Sequence, residues 1–217
     1  NQSFLRKQNK SGESNVIQKV VNKIIDKQMA EGISKEGDKA VYEYGYTLLL
    51  EIVSNIAIAL VLGAIMGEVK ILIGMLLLLI PLRSFCGGWH ASHVCTCTIL
   101  SNLSILMILV MMKQEILLDI NEMIALEIFC LIIISIFAPL DSINKPLSVR
   151  EKKRYKRITI LILLAHFGIF QWMLAQRRES GAMLIIWVHG YVAILQLTQV
   201  LQKYKKNVSL KKVHSDK

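Results

Sequence analysis

Long apolar runs recur along this chain, and they restrict its fold more than any other feature does. Clear examples are Ile71–Leu82, Ile124–Pro139 and Ile158–Leu174. A helix needs about 20 mainly apolar residues to cross a bilayer, and 53% of the 217 residues are apolar. The runs lack the two-residue alternation of a membrane β-barrel. We therefore predict an all-α, polytopic membrane bundle of about six spans.

The predicted spans can be placed along the sequence. They cover about 42–66, 71–82, 98–112, a fourth ending near Pro139, 158–175 and 182–201. Tight turns are predicted at 67–70 and 176–179, since glycine and charged residues interrupt the apolar runs there. The second span is short, so the polar cluster after it is expected in a re-entrant or broken segment. The domains predicted are a head, 1–40, a six-span domain, 41–202, and a basic tail, 203–217.

The head contains a basic amphipathic helix, preceded by no recognisable secretory signal peptide. Its apolar residues recur with helical spacing: Val16, Ile17, Val20, Val21, Ile24 and Ile25. Such a helix either lies in the membrane interface or packs on the cytoplasmic face of the protein itself. The sequence favours neither alternative.

Charge predicts the orientation of the bundle. The net charge is +10, and Lys and Arg lie in blocks beside apolar runs, which fits membrane topology better than nucleic-acid binding. The head, the tail and a basic loop at 150–157 fall on one side, and an acidic loop at 113–122 falls on the other. We expect both termini and the polar cluster in the cytoplasm, near anionic lipids. The Arg177-Arg178 turn is then outside.

The polar cluster occupies residues 83–97. It contains Arg83, Gly87-Gly88, two histidines and three cysteines: His90, His93, Cys86, Cys95 and Cys97. Ionisable groups are costly at membrane depth and usually mark a functional site. A free thiol is mostly protonated at neutral pH, and a histidine beside it provides the base that activates it. The cluster therefore predicts a cysteine peptidase.

Two kinds of Cys–His pair are possible as the catalytic pair. On a regular helix, His93 with Cys97, or Cys86 with His90, are neighbours one turn apart. His90 and Cys97 are separated by a rise of about 10.5 Å, so they can pair only if the segment between them is not one straight helix. Gly87-Gly88 and Ser92 permit such a break, which would place Cys97 in the first turns of the third span.

Other residues near the cluster have supporting roles in this hypothesis. Arg83 either binds a substrate carboxylate or headgroup phosphate, or pairs with Glu51, which could also orient a histidine. Ser101 and Asn102 follow Cys97 by about one turn and could donate to an oxyanion. His166 and His189 stand alone in apolar runs and are interpreted as satisfied core histidines, and Cys130 as inert packing.

Two other functional classes remain as alternatives. Cys86, His90, His93 and Cys97 have zinc-ligand chemistry, but on one straight helix their ends are over ~16 Å apart, too far for one ion. We therefore expect no metal and no other cofactor. A peptide transporter is compatible with six spans and internal polar residues, although no inverted repeat is visible.

Two separated motifs resemble one known family. Arg83-Ser84-Phe85-Cys86-Gly87-Gly88-Trp89-His90-Ala91, a cysteine seven residues after the histidine, and the following Ser101-Asn102 resemble the accessory gene regulator B family (AgrB). So does the later string Ala138-Pro139-Leu140-Asp141-Ser142-Ile143-Asn144-Lys145-Pro146-Leu147. The resemblance extends from the amphipathic head to the sixth span. Cys86 stands where the family has a small residue, and Cys95 and His93 are additional.

The resemblance implies an integral-membrane cysteine endopeptidase of a Gram-positive cell membrane. Such enzymes remove the C-terminal tail of a short AgrD-type propeptide, the precursor of a cyclic quorum-sensing signal. His90 and Cys97 match the catalytic pair of the family, and Cys97 would form a thioester that a thiol or hydroxyl of the peptide displaces, closing a thiolactone or lactone. A homodimer is compatible with the resemblance. Candidate contacts for an acidic propeptide tail are Lys145, Arg150, Lys152, Lys153 and Arg154.

Overall fold

The computed structural model describes residues 16–31, 39–87, 94–114, 118–140 and 147–215. Over these residues the chain forms seven α-helices and no strand, so the predicted all-α class is confirmed. The helices are α1 Val16–Ala30, α2 Lys39–Met66, α3 Val69–Cys86, α4 Val94–Lys113, α5 Ile120–Phe137, α6 Val149–Ala175 and α7 Glu179–Ser215.

Five stretches of the described helices are long and apolar enough to cross a membrane. They are Gly45–Met66, Val69–Cys86, Ile120–Phe137, Val149–Ala175 and Glu179–Tyr204. The third predicted span, 98–112, corresponds to a shorter apolar helix, Thr98–Lys113. The protein is therefore a multi-pass membrane protein. Turns are present where they were predicted, but they are shorter: 67–68 instead of 67–70 and 176–178 instead of 176–179, because Val69 and Glu179 already begin the next helices.

The chain divides into two compact units, Asn1–Ile58 and Ala59–Lys217. In the first, α1 buries Val21 and Ile25 completely, whereas Val20 is exposed. The side-chain amide of Gln28 donates to the Tyr46 hydroxyl at 2.6 Å, and Lys39 pairs with Asp26 at 3.4 Å. Two residues of the apolar face are therefore covered by protein, and the choice between the two predicted locations of this helix stays a prediction.

In the second unit, α7 is the central helix, because α3, α4, α5 and α6 all pack against it. Half of the residues in its apolar span are buried inside the protein, compared with 22% in α3, α5 and α6. The outer helices therefore leave most of their apolar side chains for lipid. One cluster of buried residues joins four helices beneath the end of α3: Leu82, Cys86, Ile134, Ala138, Leu163, Val192 and Ala193.

Helices α6 and α3 extend further than the sequence predicted, and so does α7, which continues to Ser215. The basic run at 150–157, predicted as a loop, forms the first two turns of α6, so that prediction is wrong. The cause is a capping box, in which the Ser148 hydroxyl accepts from Glu151 N at 3.3 Å and Glu151 accepts from Ser148 N at 2.8 Å. Helix α3 continues through Pro81 to Cys86, which gives it 18 residues.

Candidate functional site

The C-terminal end of α3 is held in place by three hydrogen bonds. The Cys86 carbonyl accepts from Leu140 N at 3.0 Å and from the Gln196 side-chain amide at 3.4 Å. The Arg83 guanidinium donates to the Gly87 carbonyl at 2.9 Å. The last carbonyls of a helix have no partners within it, so these donors satisfy groups that would otherwise be unpaired. They also fix the point from which the chain enters 88–93.

Gly87 ends α3 in a conformation that few other residues adopt. Its φ is +73°, and a Cβ atom at this position would lie 2.4 Å from the Leu140 carbonyl oxygen. Glycine is therefore required both by the backbone conformation and by the close approach of the segment 138–140. The bend that the Gly-Gly pair was expected to permit begins at this residue.

Lys156 of α6 holds the segment 138–140 from the other side. Its ammonium donates to the Ala138 carbonyl at 2.9 Å and also to the Ser135 carbonyl. Residue 139 is proline, so the Ser135 carbonyl has no backbone N–H four residues later to accept from. Lys156 supplies that missing donor, and its positive charge is favourable at a helix C-terminus.

An aromatic contact joins α3 and α6 at the same end of the bundle. The rings of Phe85 and Tyr155 meet edge to face with centroids 5.5 Å apart. Together with Lys156 and Gln196, this contact makes one frame from α3, the end of α5, the start of α6 and α7. The two sequence motifs of the family resemblance thus touch each other, through Cys86, Gly87 and Leu140.

The exposed side of the first turns of α6 forms a shallow basic cavity of about 470 Å³ that is open to the outside. It is lined by Arg150, Lys153, Arg154, Arg157 and Ile158. Because these residues are spaced three and four apart, one helical face carries all four cations. Three of the predicted substrate contacts, Arg150, Lys153 and Arg154, therefore lie together. Lys152 is exposed outside this lining, and Lys145 lies outside the described residues.

The predicted catalytic pair is described only in part. Cys97 is the fourth residue of α4, in its first turn, and its side chain lies outside the described part of the chain. His90 and His93 lie outside the described residues, so the choice between the two kinds of pair stays a prediction. The side chain of Glu51 is also outside them, and with it the proposed pairing to Arg83.

Ser101 and Asn102 lie about one turn after Cys97, as the eighth and ninth residues of α4. Asn102 is buried, and one of its side-chain N–H groups donates to the Thr98 carbonyl of the same helix at 2.9 Å. Ser101 is partly buried. Neither position tests the predicted oxyanion role.

Two cysteines with described side chains, Cys86 and Cys130, are free and buried. The Cys86 thiol donates to the Gly87 carbonyl at 3.3 Å and packs in the core beneath the site. This environment suits a small core residue, the role predicted for Cys130. Among the residues described, no three His, Cys, Asp or Glu side chains are grouped as a metal site.

Sequence reasoning missed three residues of the frame and one buried acid. Lys156, Gln196 and Tyr155 act through long-range contacts that no local pattern shows. Glu127 could have been singled out from the sequence, because a carboxylate inside an apolar run usually marks a functional site. His166 and His189 are satisfied, as predicted, but the interpretation that they stand alone is wrong: they bond to each other, and His189 also bonds to Glu127.

Comparison with known proteins identifies the family of this chain. The family model described as accessory gene regulator B matches residues 17–201. This chain belongs to the accessory gene regulator B (AgrB) family. A curated relative from Clostridium perfringens (strain 13 / Type A), named as an AgrB-like protein, is 28% identical over 67% of this chain and 73% of its own length. No solved structure matches. Family membership gives the protein a role in the agr quorum-sensing system, with an AgrD-type propeptide as partner.

Proposed function

We propose that this AgrB protein is a membrane-embedded cysteine endopeptidase. It cuts the C-terminal tail from an AgrD-type propeptide and transfers the remaining acyl group to a side chain of the peptide, which closes the ring of a signal peptide. The contact between the two family motifs carries the proposal: Leu140 packs on Cys86 and Gly87, immediately before the segment with His90 and Cys97.

In the proposed mechanism Cys97 is the nucleophile and His90 the general base. His90 takes the thiol proton as sulfur attacks the scissile carbonyl, and then gives it to the leaving amine as the C–N bond breaks. The product is a Cys97 thioester and a free tail. A thiol or hydroxyl of the peptide then attacks the thioester, its proton passes through His90 to the Cys97 sulfur, and the ring closes. Excluding water protects the thioester from hydrolysis.

Two features of the described structure support this use of Cys97. Helix α4 begins at Val94, so Cys97 lies in its first turn, where the positive end of the helix dipole favours a thiolate. The frame around Gly87 fixes the end of α3 and Gly87 itself, three residues before His90, which gives the segment with the catalytic pair a rigid starting point.

The test is co-expression with the propeptide encoded beside the gene, read by mass spectrometry of the peptide. We expect Cys97→Ser and His90→Ala to abolish the cut, while Cys95→Ser, Cys86→Ser, His93→Ala and the buried control Cys130→Ser retain it. If His93→Ala is inactive and His90→Ala active, the pair is the one-turn pair instead. Cleavage by all six variants would overturn the peptidase and favour the transporter.

We further propose that the basic cavity of α6 attracts the acidic tail of the propeptide. Four cations on one exposed helical face raise the local concentration of an anionic peptide, mainly through its association rate. Arg150→Gln/Arg154→Gln should raise KM several-fold with little change in kcat, and the difference should shrink at high salt.

A matched control removes the same charge elsewhere. Arg177 and Arg178 lie in the turn between α6 and α7, at the opposite end of α6 from the cavity. Arg177→Gln/Arg178→Gln should leave KM unchanged. An equal rise in KM for both double variants would mean that net charge, and not the cavity, binds the tail.

A further inference from the structure

Three ionisable side chains from three helices meet in the interior of the bundle. His166 Nδ1 of α6 lies 3.1 Å from His189 Nε2 of α7, and His189 Nδ1 lies 2.8 Å from Glu127 Oε1 of α5. Glu127 and His189 are fully buried and His166 is 6% exposed. Each sits well inside an apolar span, where an isolated charge is costly.

The two hydrogen bonds limit where the protons of these three side chains can lie, and two proton counts are compatible with them. If both imidazoles are neutral and Glu127 is ionised, there are two protons, on Nδ1 of each histidine, and the net charge is −1. A third proton makes the group neutral. Along this chain of hydrogen bonds that proton sits on His166, on His189 or on Glu127 Oε1, and in each of these three cases His166 carries a proton on Nε2. Burial in an apolar medium penalises the net charge and so favours the three-proton form.

We propose that Glu127, His189 and His166 form a proton-binding site, which holds one proton beyond its two neutral imidazoles and so has no net charge. Nothing in the proposed peptidase reaction uses this site. Its ligand is a proton, and the chain of hydrogen bonds offers a path for it. A proton arriving at His166 Nε2 displaces the Nδ1 proton onto His189 Nε2, and the His189 Nδ1 proton moves to Glu127 Oε1. Each nitrogen that releases a proton keeps its electron pair.

The Glu127 carboxyl group, at the end of this path, is also suited to binding a proton. Glu127 Oε2 is buried and has no hydrogen-bonding partner among the described residues. An ionised carboxylate with one unpaired buried oxygen is unfavourable, whereas a protonated carboxyl group places less charge on that oxygen.

Other ionisable groups on the helices packed here are few. Cys130 follows Glu127 by about one turn on α5, and its thiol is buried. The charged residues of the neighbouring helices stand near their ends: Lys70 and Arg83 on α3, Lys113 on α4, Glu122 on α5, the basic first turns of α6, and Glu179 and Lys203 on α7. No described cation therefore sits beside Glu127 to replace the proton.

The site shares its three helices with the frame around Gly87. Along α7, His189 lies about 10.5 Å from Gln196, and along α6, His166 lies about 15 Å from Lys156. Glu127 is about 12 Å from Ser135 along α5. Loss of the proton would leave a buried negative charge between the helices that carry the frame, and would weaken their packing.

The experiment is solid-state NMR of the full chain in bilayers, with 15N-labelled histidine and 13C-labelled glutamate. His166→Asn and His189→Asn assign the imidazole signals. At neutral pH we expect a proton on His166 Nε2, together with an imidazolium or a protonated Glu127 carboxyl. Two neutral imidazoles with an ionised Glu127 would overturn the proposal. Dipolar couplings across the two hydrogen bonds, His166 Nδ1 to His189 Nε2 and His189 Nδ1 to the Glu127 carboxyl, assign the three side chains in the wild type itself, so the result stands even if a variant fails to fold.

Glu127→Gln tests whether the extra proton belongs to this site. This variant should show two neutral imidazoles from mildly acidic to alkaline pH, while the control Glu122→Gln, on the same helix, should match the wild type. If Glu127→Gln retained the same imidazolium signal, the proton would belong elsewhere and the site would not exist as proposed.

Discussion

Gly87 is the residue at which backbone conformation and packing impose the same requirement. An alanine there would need a positive φ, costing about 1–3 kcal/mol, and its Cβ would lie 2.4 Å from the Leu140 carbonyl oxygen. We expect Gly87→Ala to lower the thermal stability in detergent and to abolish propeptide cleavage, because Leu140 must move away from Cys86.

Gly168 provides the matched control for that substitution. It lies within α6, and a Cβ atom there would meet nothing within 4 Å. Gly168→Ala should raise the stability by about 0.5–1 kcal/mol, since alanine is the better helix former. Equal effects of the two substitutions would show that the contact between Gly87 and Leu140 is unimportant.

Lys156 differs from the other cations of α6 because its ammonium is used inside the protein. Lys156→Met keeps most of the stem but leaves the Ser135 and Ala138 carbonyls without this donor, which should cost about 1–3 kcal/mol of stability. Lys153→Met, at an exposed position of the same helix, should leave the unfolding midpoint unchanged. A midpoint that falls equally in both variants would contradict the capping role.

At the scale of the element, the start of α6 depends on Ser148. Ser148→Ala removes the hydroxyl that accepts from Glu151 N and should cost about 0.5–2 kcal/mol. We expect faster hydrogen exchange of the first amides of α6 and a higher KM for the propeptide, because the basic face is no longer held as a helix. The control is Ser104→Ala, whose hydroxyl bonds only its own helix, to Leu100 O at 2.7 Å. Unchanged exchange in Ser148→Ala would show that the cap is dispensable.

The elements also show what sequence could and could not predict. Apolar runs and turn residues predicted the helices and the turns at 67–70 and 176–179. The helical start of α6 was missed although Ser148 and Glu151 have the spacing of a capping box. The bonds of Cys86 to Leu140 and Gln196 could not be predicted, because they depend on how distant segments pack. The same holds for the meeting of Glu127 with His189: the sequence analysis did not single out Glu127, and it interpreted His189 as a core histidine.

At the scale of the whole molecule, the number of crossings determines on which side each turn lies. If α2 to α7 all cross, both ends of the bundle face the cytoplasm, as the basic residues predict. If the short apolar helix Thr98–Lys113 does not cross, the C-terminal end lies opposite the N-terminal end.

Reporter fusions distinguish these two topologies. We expect alkaline phosphatase to be active when fused after Gln114 or Gln176, and green fluorescent protein to fluoresce when fused after Tyr204. Phosphatase activity after Tyr204 would indicate an odd number of crossings, and would place the basic tail outside.

Helix α7 does not stop where its apolar span stops. The span ends at Tyr204 and the helix continues to Ser215, which adds about 16 Å of rise. At physiological ionic strength electrostatic attraction decays over about 8 Å. A lysine near the start of this extension is therefore within range of lipid headgroups, whereas Lys211 and Lys212 lie about 10–12 Å beyond Tyr204 along the helix, roughly one and a half screening lengths away. The last turns of α7 would act on molecules in solution, such as an approaching acidic peptide, more than on the bilayer.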